Sequence, residues 1–363
     1  MTPPSTSSLD QPASGAGPAK GFVLSPAARL LWRTAESVHL ELGDRSVVVD
    51  GLPASAIDQV APGRPVAGDR PALDPSVRTA FDVLTEDGFL WPRSAGDEVR
   101  HTPPVPRLAG QLTALAARHG EDAAELLHAR RHYAVVVTGN TAATVHLAAL
   151  LAAAGVGRVR CAVDGTVRLL HAVPGGVEPA DEGDDLQVAG VQAVLRAAPE
   201  ADVTPLPSDD VPDLTVLAQA GPVDDDRRSA LHATGSAHLR FAVGVDHAVV
   251  GPLVLPGLTS CLRCADLHRL DRDPAWSVLS AQLAVPRRYG PTADAVVSTL
   301  AVGVAAMQVL TFLDGGDPAG IDGTLEIHPP DWRVRRRSWT PHPGCDCGLA
   351  PADTSSRGLR WAE

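Results

Sequence analysis

Four cysteines carry the clearest chemistry in the sequence: Cys261-Leu-Arg-Cys264 and Cys345-Asp-Cys347. A CxxC places two thiolates on one side of a turn, where they suit a tetrahedral ion. The CxC pair is tighter than usual. Together the pairs can close a four-cysteine zinc site with no position left for water. Such a metal is structural, and it would tie the C-terminal segment to the strand end near residue 261. Redox-active thiols and coincidence are the competing readings. Cys161 lies inside a strand-like run and reads as a packed core residue.

Other reactive side chains are less telling. His146, on an Ala/Leu-rich helix, reads as a core histidine, and His247, after Asp246, as part of a strand-end turn. No Ser-His-Asp arrangement and no Walker loop stand out.

The elements that must hold these residues centre on 133–167. Tyr133–Val137 is a short β-branched run, as in a strand buried on both faces. Gly139 and Asn140 suit a sharp turn, and Thr141 or Thr144 can cap the Ala/Leu-rich helix that ends at Gly155. Val159–Val163 is a second strand with Asp164 at its carboxyl end. This is a βαβ unit of the nucleotide-binding kind, with phosphate expected at the helix N-terminus and ribose near the acid. The turn itself does not fit: only Gly139 remains of the glycine fingerprint, and Thr141 and Thr144 would crowd a phosphate. A nucleotide site and a purely structural βαβ unit both stay open at this point.

Composition narrows the classes. A length of 363 residues suggests two domains, and 44% hydrophobic content is ample for a core. The net charge of −12 argues against a sequence-independent grip on nucleic acid. The cluster Arg333, Arg335, Arg336 and Arg337 alternates like a solvated strand. Residues 1–20 lack the pattern of a signal peptide and read as a disordered tail, and 349–363 read as a C-terminal tail. Leu300–Leu313 is apolar but too short for a membrane span, so no membrane association and a cytoplasmic location are expected. In a reducing compartment, paired cysteines suggest metal before disulfide.

Residues 21–98 form a first unit. Ser37–Leu42 and Arg45–Asp50 flank Gly43-Asp44 as a β-hairpin. Pro53–Val60 is a short helix candidate, and Asp74-Pro75 starts another helix, carrying Val77, Phe81 and Leu84 on one face. A hairpin with two or three helices resembles a winged helix. It lacks a basic recognition helix for DNA. Its hairpin edge can instead accept a peptide as an added strand, or it can be a structural wing. Residues 99–107 read as a linker. Residues 108–131 read as one amphipathic helix, and the alternation of strands and helices beyond them predicts an α/β fold with a mainly parallel sheet and an antiparallel extension.

On the βαβ unit, the cysteine pairs and their order, residues 108–348 resemble the ThiF family, related to ubiquitin-activating enzymes. The resemblance implies a Rossmann-like domain, zinc on the cysteine pairs, and ATP-dependent adenylation of a protein C-terminus. Gly139 stands at the family's first glycine and Asp164 at its ribose-binding acid. The rest departs from the pattern. Thr166-Val-Arg-Leu-Leu-His171 replaces the phosphate-gripping Asn and Arg, Leu186–Leu195 contains no lysine, and Ala218-Gln-Ala-Gly221 stands where a magnesium-binding Asp is expected, with Asp224 a poor substitute. ATP is therefore not expected to bind.

Val250-Gly-Pro-Leu-Val-Leu-Pro-Gly-Leu-Thr-Ser-Cys-Leu-Arg-Cys264 is similar to a ThiF-like branch found with azole-forming (TOMM, bacteriocin-type) peptide cyclodehydratases. That likeness implies a non-catalytic scaffold: an N-terminal winged-helix element binds a precursor's leader peptide, and a separate YcaO-type enzyme uses ATP to modify the precursor. Val47, Val48, Val49 and Arg78 are the expected leader contacts; members of the resembled family often form homodimers, and the sequence leaves that state open for this chain. The alternative is an adenylyltransferase acting on a ubiquitin-like or sulfur-carrier protein. An orphan dinucleotide-binding protein is disfavoured by the same turn.

Overall fold

The computed structural model describes residues 22–51, 79, 83–92, 106–139, 141–207, 210–219, 221–284 and 293–348. The two tails, both helix starts expected between 53 and 76, Val77, Arg78, Phe81, Asn140 and most of the expected linker lie outside them. The chain divides into two compact units, Met1–Leu127 and His128–Glu363.

In the first unit, β1 (Phe22–Leu24) pairs antiparallel with β5 (Leu90–Pro92). A separate antiparallel sheet runs β2 (Arg29–Thr34), β3 (Ser37–Leu42), β4 (Arg45–Asp50). The hairpin forms where the alternation predicts it. Val38, Leu40 and Leu42 of β3 point into a core with Leu84 and Phe89, and Gly43 supplies the left-handed residue of the turn at φ +65°. Residues 83–86 are helical. The single helix expected over 108–131 is two: α1 (Ala109–His119) and α2 (Ala123–Arg130). Gly120, at φ +63°, breaks it, and a 3₁₀ turn over Gly120–Asp122 follows. α1 and the start of α2 pack their apolar face on Trp91.

The second unit is a seven-stranded sheet, with β6 (Ala134–Thr138), β7 (Arg158–Ala162), β8 (Leu214–Ala218), β9 (His238–Val243), β10 (Ala248–Val254), β11 (Gly323–Ile327) and β12 (Val334–Ser338) in the order β12-β11-β10-β9-β8-β6-β7. β7, β6, β8 and β9 are mutually parallel; the remaining pairings are antiparallel, which brings β11 back to the direction of β9. Five of seven strands thus share one direction, in a mixed α/β fold with a mainly parallel sheet. Crossovers are made by α3 (Ala142–Ala153), α4 (Leu186–Ala197) and α5 (Asp225–Ala233). Two helices the sequence did not announce follow β10: α6 (Leu262–Arg272) and α7 (Trp276–Ala284).

α8 (Ala295–Leu313), within the long apolar helix the sequence suggests over 292–313, is 19 residues long and apolar enough to cross a membrane by length and composition. It is a core helix here: Val297, Ala301, Val302, Ala305 and Val309 are buried in the main cluster with α3 and the sheet, and Asp294 caps its start by accepting from the Val296 and Val297 N–H groups. Where α2 ends, Arg130 makes a fully buried two-pronged pair with Asp314 and also donates to the Ala154 carbonyl, joining the ends of three helices. The Gly-Pro of the 250–264 stretch has a packing reason. A β-carbon on Gly251 would lie 2.6 Å from the Gly323 carbonyl of β11, and the residue sits at φ +105°.

Candidate functional site

The four cysteines meet although 80 residues lie between Cys264 and Cys345. Cys261 is the N-cap of α6 and Cys264 lies in its first turn, where the positive end of the helix favours thiolates. Cys345 and Cys347 arrive on the segment after β12. Sulfur separations are 3.7 Å for Cys261–Cys264, 3.6 Å for Cys261–Cys345 and 3.7 Å for Cys264–Cys347. A tetrahedron with metal–sulfur bonds of about 2.3 Å requires sulfurs roughly 3.8 Å apart, whereas a disulfide requires about 2.05 Å. The arrangement fits a closed four-thiolate metal site. Cys261, Cys264 and Cys347 are buried and Cys345 is half-buried. Cys261 and Cys264 share a proton: the Cys261 thiol donates and holds Cys264 down at about 4, while Cys261 itself is pushed up. Burial pushes Cys345 up to about 11.

Polar ties hold the arriving segment on α6. Arg263 pairs with Asp346 at 2.9 Å, and His268 Nε2 donates to the Thr340 carbonyl at 2.9 Å. His342 Nε2 donates to Asp271 at 2.8 Å. His268, Asp271 and His342 are close enough to suggest a second metal. The Gly344 N–H, however, donates to His342 Nδ1, so Nε2 carries the proton and has no lone pair for an ion. They read as fasteners of the cysteine loop.

The turn at 139–144 is built differently from a phosphate cradle. Gly139 is at φ +133°, and a β-carbon there would lie 1.9 Å from the Ala218 carbonyl of β8. Its glycine requirement is met by strand packing alone. Thr141 and Thr144 form a reciprocal capping box on α3, Thr144 Oγ1 accepting from the Thr141 N–H at 3.3 Å. The helix end that would face an anion is occupied by its own hydroxyls. Asp164 is exposed just beyond β7. Where a lysine is expected on α4, Gln187 accepts from the Val163 N–H at 3.2 Å. Asp224 is spent as the N-cap of α5, bonded to the Arg227 N–H at 2.8 Å. A β-carbon on Gly221 would meet the Leu283 carbonyl of α7 at 2.7 Å, so α7 sits directly on this strand end.

Cys161 is buried, its thiol pushed up to about 12 by burial, as fits an inert core residue. His146 is buried and its pKa is lowered by that burial, but it is not a fully satisfied core histidine, since Nδ1 has no partner. His247 stacks on His328 in the β9–β10 turn.

In the first unit, β4 is an edge strand among the described residues. The Gly51 N–H donates to the Glu36 carbonyl, which sets the parity of the β3–β4 ladder: Val49 opposite Val38 and Val47 opposite Leu40 are hydrogen-bonded pairs. Ser46, Val48 and Asp50 therefore turn their N–H and C=O groups to the open edge. Val47 and Val49 pack on the core, whereas the Val48 side chain is 41% exposed on the opposite face. Val47–Val49 belong to the first compact unit, and the cysteines and the 139–144 turn to the second.

No family model and no curated protein matches the sequence. Solved structures do. MccB of E. coli with AMPCPP and MccA aligns at a TM-score of 0.68 and 16% identity, over 91% of this chain and 100% of that one. The microcin C7 biosynthetic enzyme MccB in complex with N-formylated MccA aligns at 0.67 and 15%, again over 91% and 100%. A heterocyclase in complex with substrate and cofactor aligns at 0.56 and 14%, over 91% of this chain but 40% of that one. At these identities the likeness shows a shared fold, one that runs through both compact units of this chain.

Proposed function

We propose that the protein is a non-catalytic scaffold that binds the leader of a ribosomal precursor peptide and presents it to a separate YcaO-type cyclodehydratase in bacteriocin-type (TOMM) biosynthesis. The observation that carries the non-catalytic half is the turn at 139–144, whose glycine serves strand packing and whose threonines close the helix end. The peptide half is supported by the edge of β4, unpaired among the described residues, in a unit read as a winged helix, and by a fold shared with MccB solved with N-formylated MccA and with a heterocyclase solved with substrate. Cys261, Cys264, Cys345 and Cys347 would hold one structural zinc, which fastens the C-terminal segment to α6. Reduced thiols accord with a cytoplasmic location. Neither nucleic acid nor a membrane takes part in this reading. A homodimer belongs to it, supported by Val296, Leu300 and Met307, which lie along one exposed side of α8.

A YcaO-type enzyme mixed with its precursor should form azolines when this chain is added and fall to background without it. Equal conversion without the chain overturns the proposal. One observation favours a second reading, adenylation of a ubiquitin-like or sulfur-carrier C-terminus: the fold matches MccB solved with ATP over 100% of that chain. ATP–pyrophosphate exchange with candidate carrier proteins separates the two. The scaffold reading expects background, and robust exchange abolished by Asp164→Ala establishes the enzyme.

A further inference from the structure

The second unit contains a cavity of about 190 Å³ between the sheet and α6–α7, with Val249, Leu262 and Leu283 among its apolar walls. Arg240 of β9 opens into it. Among the described residues its guanidinium makes one protein hydrogen bond, Nη2 to the Gly221 carbonyl at 3.2 Å, and no ion pair. Both acids of the cavity are already committed. Asp266 pairs with Arg269 at 2.9 Å and Arg228 at 3.4 Å; Glu326 lies 3.6 Å from Arg337 and from His328. Burial, reinforced by the neighbouring Arg269 charge and opposed by Asp266, pulls the Arg240 pKa down to about 10, which still leaves it cationic at neutral pH. On α7, the Trp276 indole Nε1–H is buried with no acceptor among the described residues.

A partly buried cation with no ion pair among the described residues is costly, and so is a buried N–H without an acceptor. Both residues line the one cavity, and each has donor capacity left over. A planar carboxylate matches a guanidinium fork and an indole donor, and one water takes roughly 30 Å³, so the space holds a short apolar body besides.

We propose that this cavity binds the carboxylate of a small apolar acid, with Arg240 and Trp276 as its donors. A free acid and a peptide C-terminus present the same group. The site owes nothing to the leader-binding edge and stands or falls separately.

The test uses the full chain and four probes: N-acetyl-leucine, its amide, and a pentapeptide ending in leucine as acid and as amide. Titration calorimetry should show the free acid, the peptide acid or both binding with Kd on the order of a millimolar or tighter, and each amide at least about tenfold weaker. Which acid binds identifies the source. The Trp276 indole N–H resonance, assigned through Trp276→Phe, should shift with the binding acid alone. Arg240→Met should weaken the acid at least about tenfold while leaving the melting temperature unchanged or higher, because it removes a partly buried cation that has no ion pair among the described residues. Should Arg240→Met not fold, Trp276→Phe should still weaken the acid several-fold. Acid and amide binding alike, no binding of any probe up to about 10 mM, or full affinity in the Arg240→Met or Trp276→Phe chain overturns the proposal.

Discussion

The turn at Gly139 and the cysteine cluster are both short motifs in one compact unit, and packing explains one of them completely and the other not at all. Gly139 is required because β8 passes within 1.9 Å of where its β-carbon would be, and Thr141 and Thr144 satisfy the helix end that follows. The cysteines come from segments that β12 and its preceding loop hold far apart in sequence, and their sulfurs keep 3.6–3.7 Å spacings without forming a disulfide. Apolar packing does not require four thiols at tetrahedral spacing. Packing and capping account for the residues of the turn, whereas the four-cysteine knuckle fits a metal ion.

That contrast breaks most sharply at the knuckle. Purified protein should carry about one zinc per chain, and Cys264→Ser or Cys261→Ser should lose it, with a stability loss on the order of 4 kcal/mol or more. Metal analysis with calorimetry checks this, and metal-free protein of unchanged melting contradicts it. At the turn, Gly139→Ala should cost roughly 2–5 kcal/mol through backbone strain and collision with β8, with or without nucleotide present. A purely phosphate-serving glycine would tolerate alanine in unfolding experiments. Thr141→Ala should cost about 1 kcal/mol as a lost cap.

A smaller effect concerns His146, whose folded pKa lies below its ordinary 6.5 because of burial. The unfolded chain then binds the proton more readily, so stability is full above that value and declines as pH falls below it. His146→Gln should flatten this part of the profile in thermal melts over pH 5–8, and an unchanged slope removes the residue from the account.

Much of this was legible from residue patterns. The hairpin around Gly43-Asp44, the βαβ unit and the late strands follow from alternation and β-branched runs, and the convergence of the cysteines follows from their pairing. Helix α6 was not legible because Leu262–Arg272 is largely charged, and its apolar contacts are confined to Leu262, Cys264 and Ala265 near its start. The break at Gly120 was present in the sequence but was outvoted by the amphipathic pattern on either side. The cavity at Arg240 could not be read at all, because an unpaired arginine is visible only once its neighbours' partners are known. The orientation of Val48 needed the ladder parity, which one hydrogen bond from Gly51 supplies.

The claim that the first unit binds a leader as an added strand is tested most directly by fluorescence anisotropy of labelled leader peptides encoded beside this chain. Full-length protein should bind one of them with Kd on the order of micromolar or tighter. Val48→Pro, which removes an outward ladder donor and leaves the hydrogen-bonded pairs with β3 in place, should weaken it at least about tenfold without altering the zinc content. No binding to any neighbouring leader, or unchanged affinity in the Val48→Pro chain, contradicts the account.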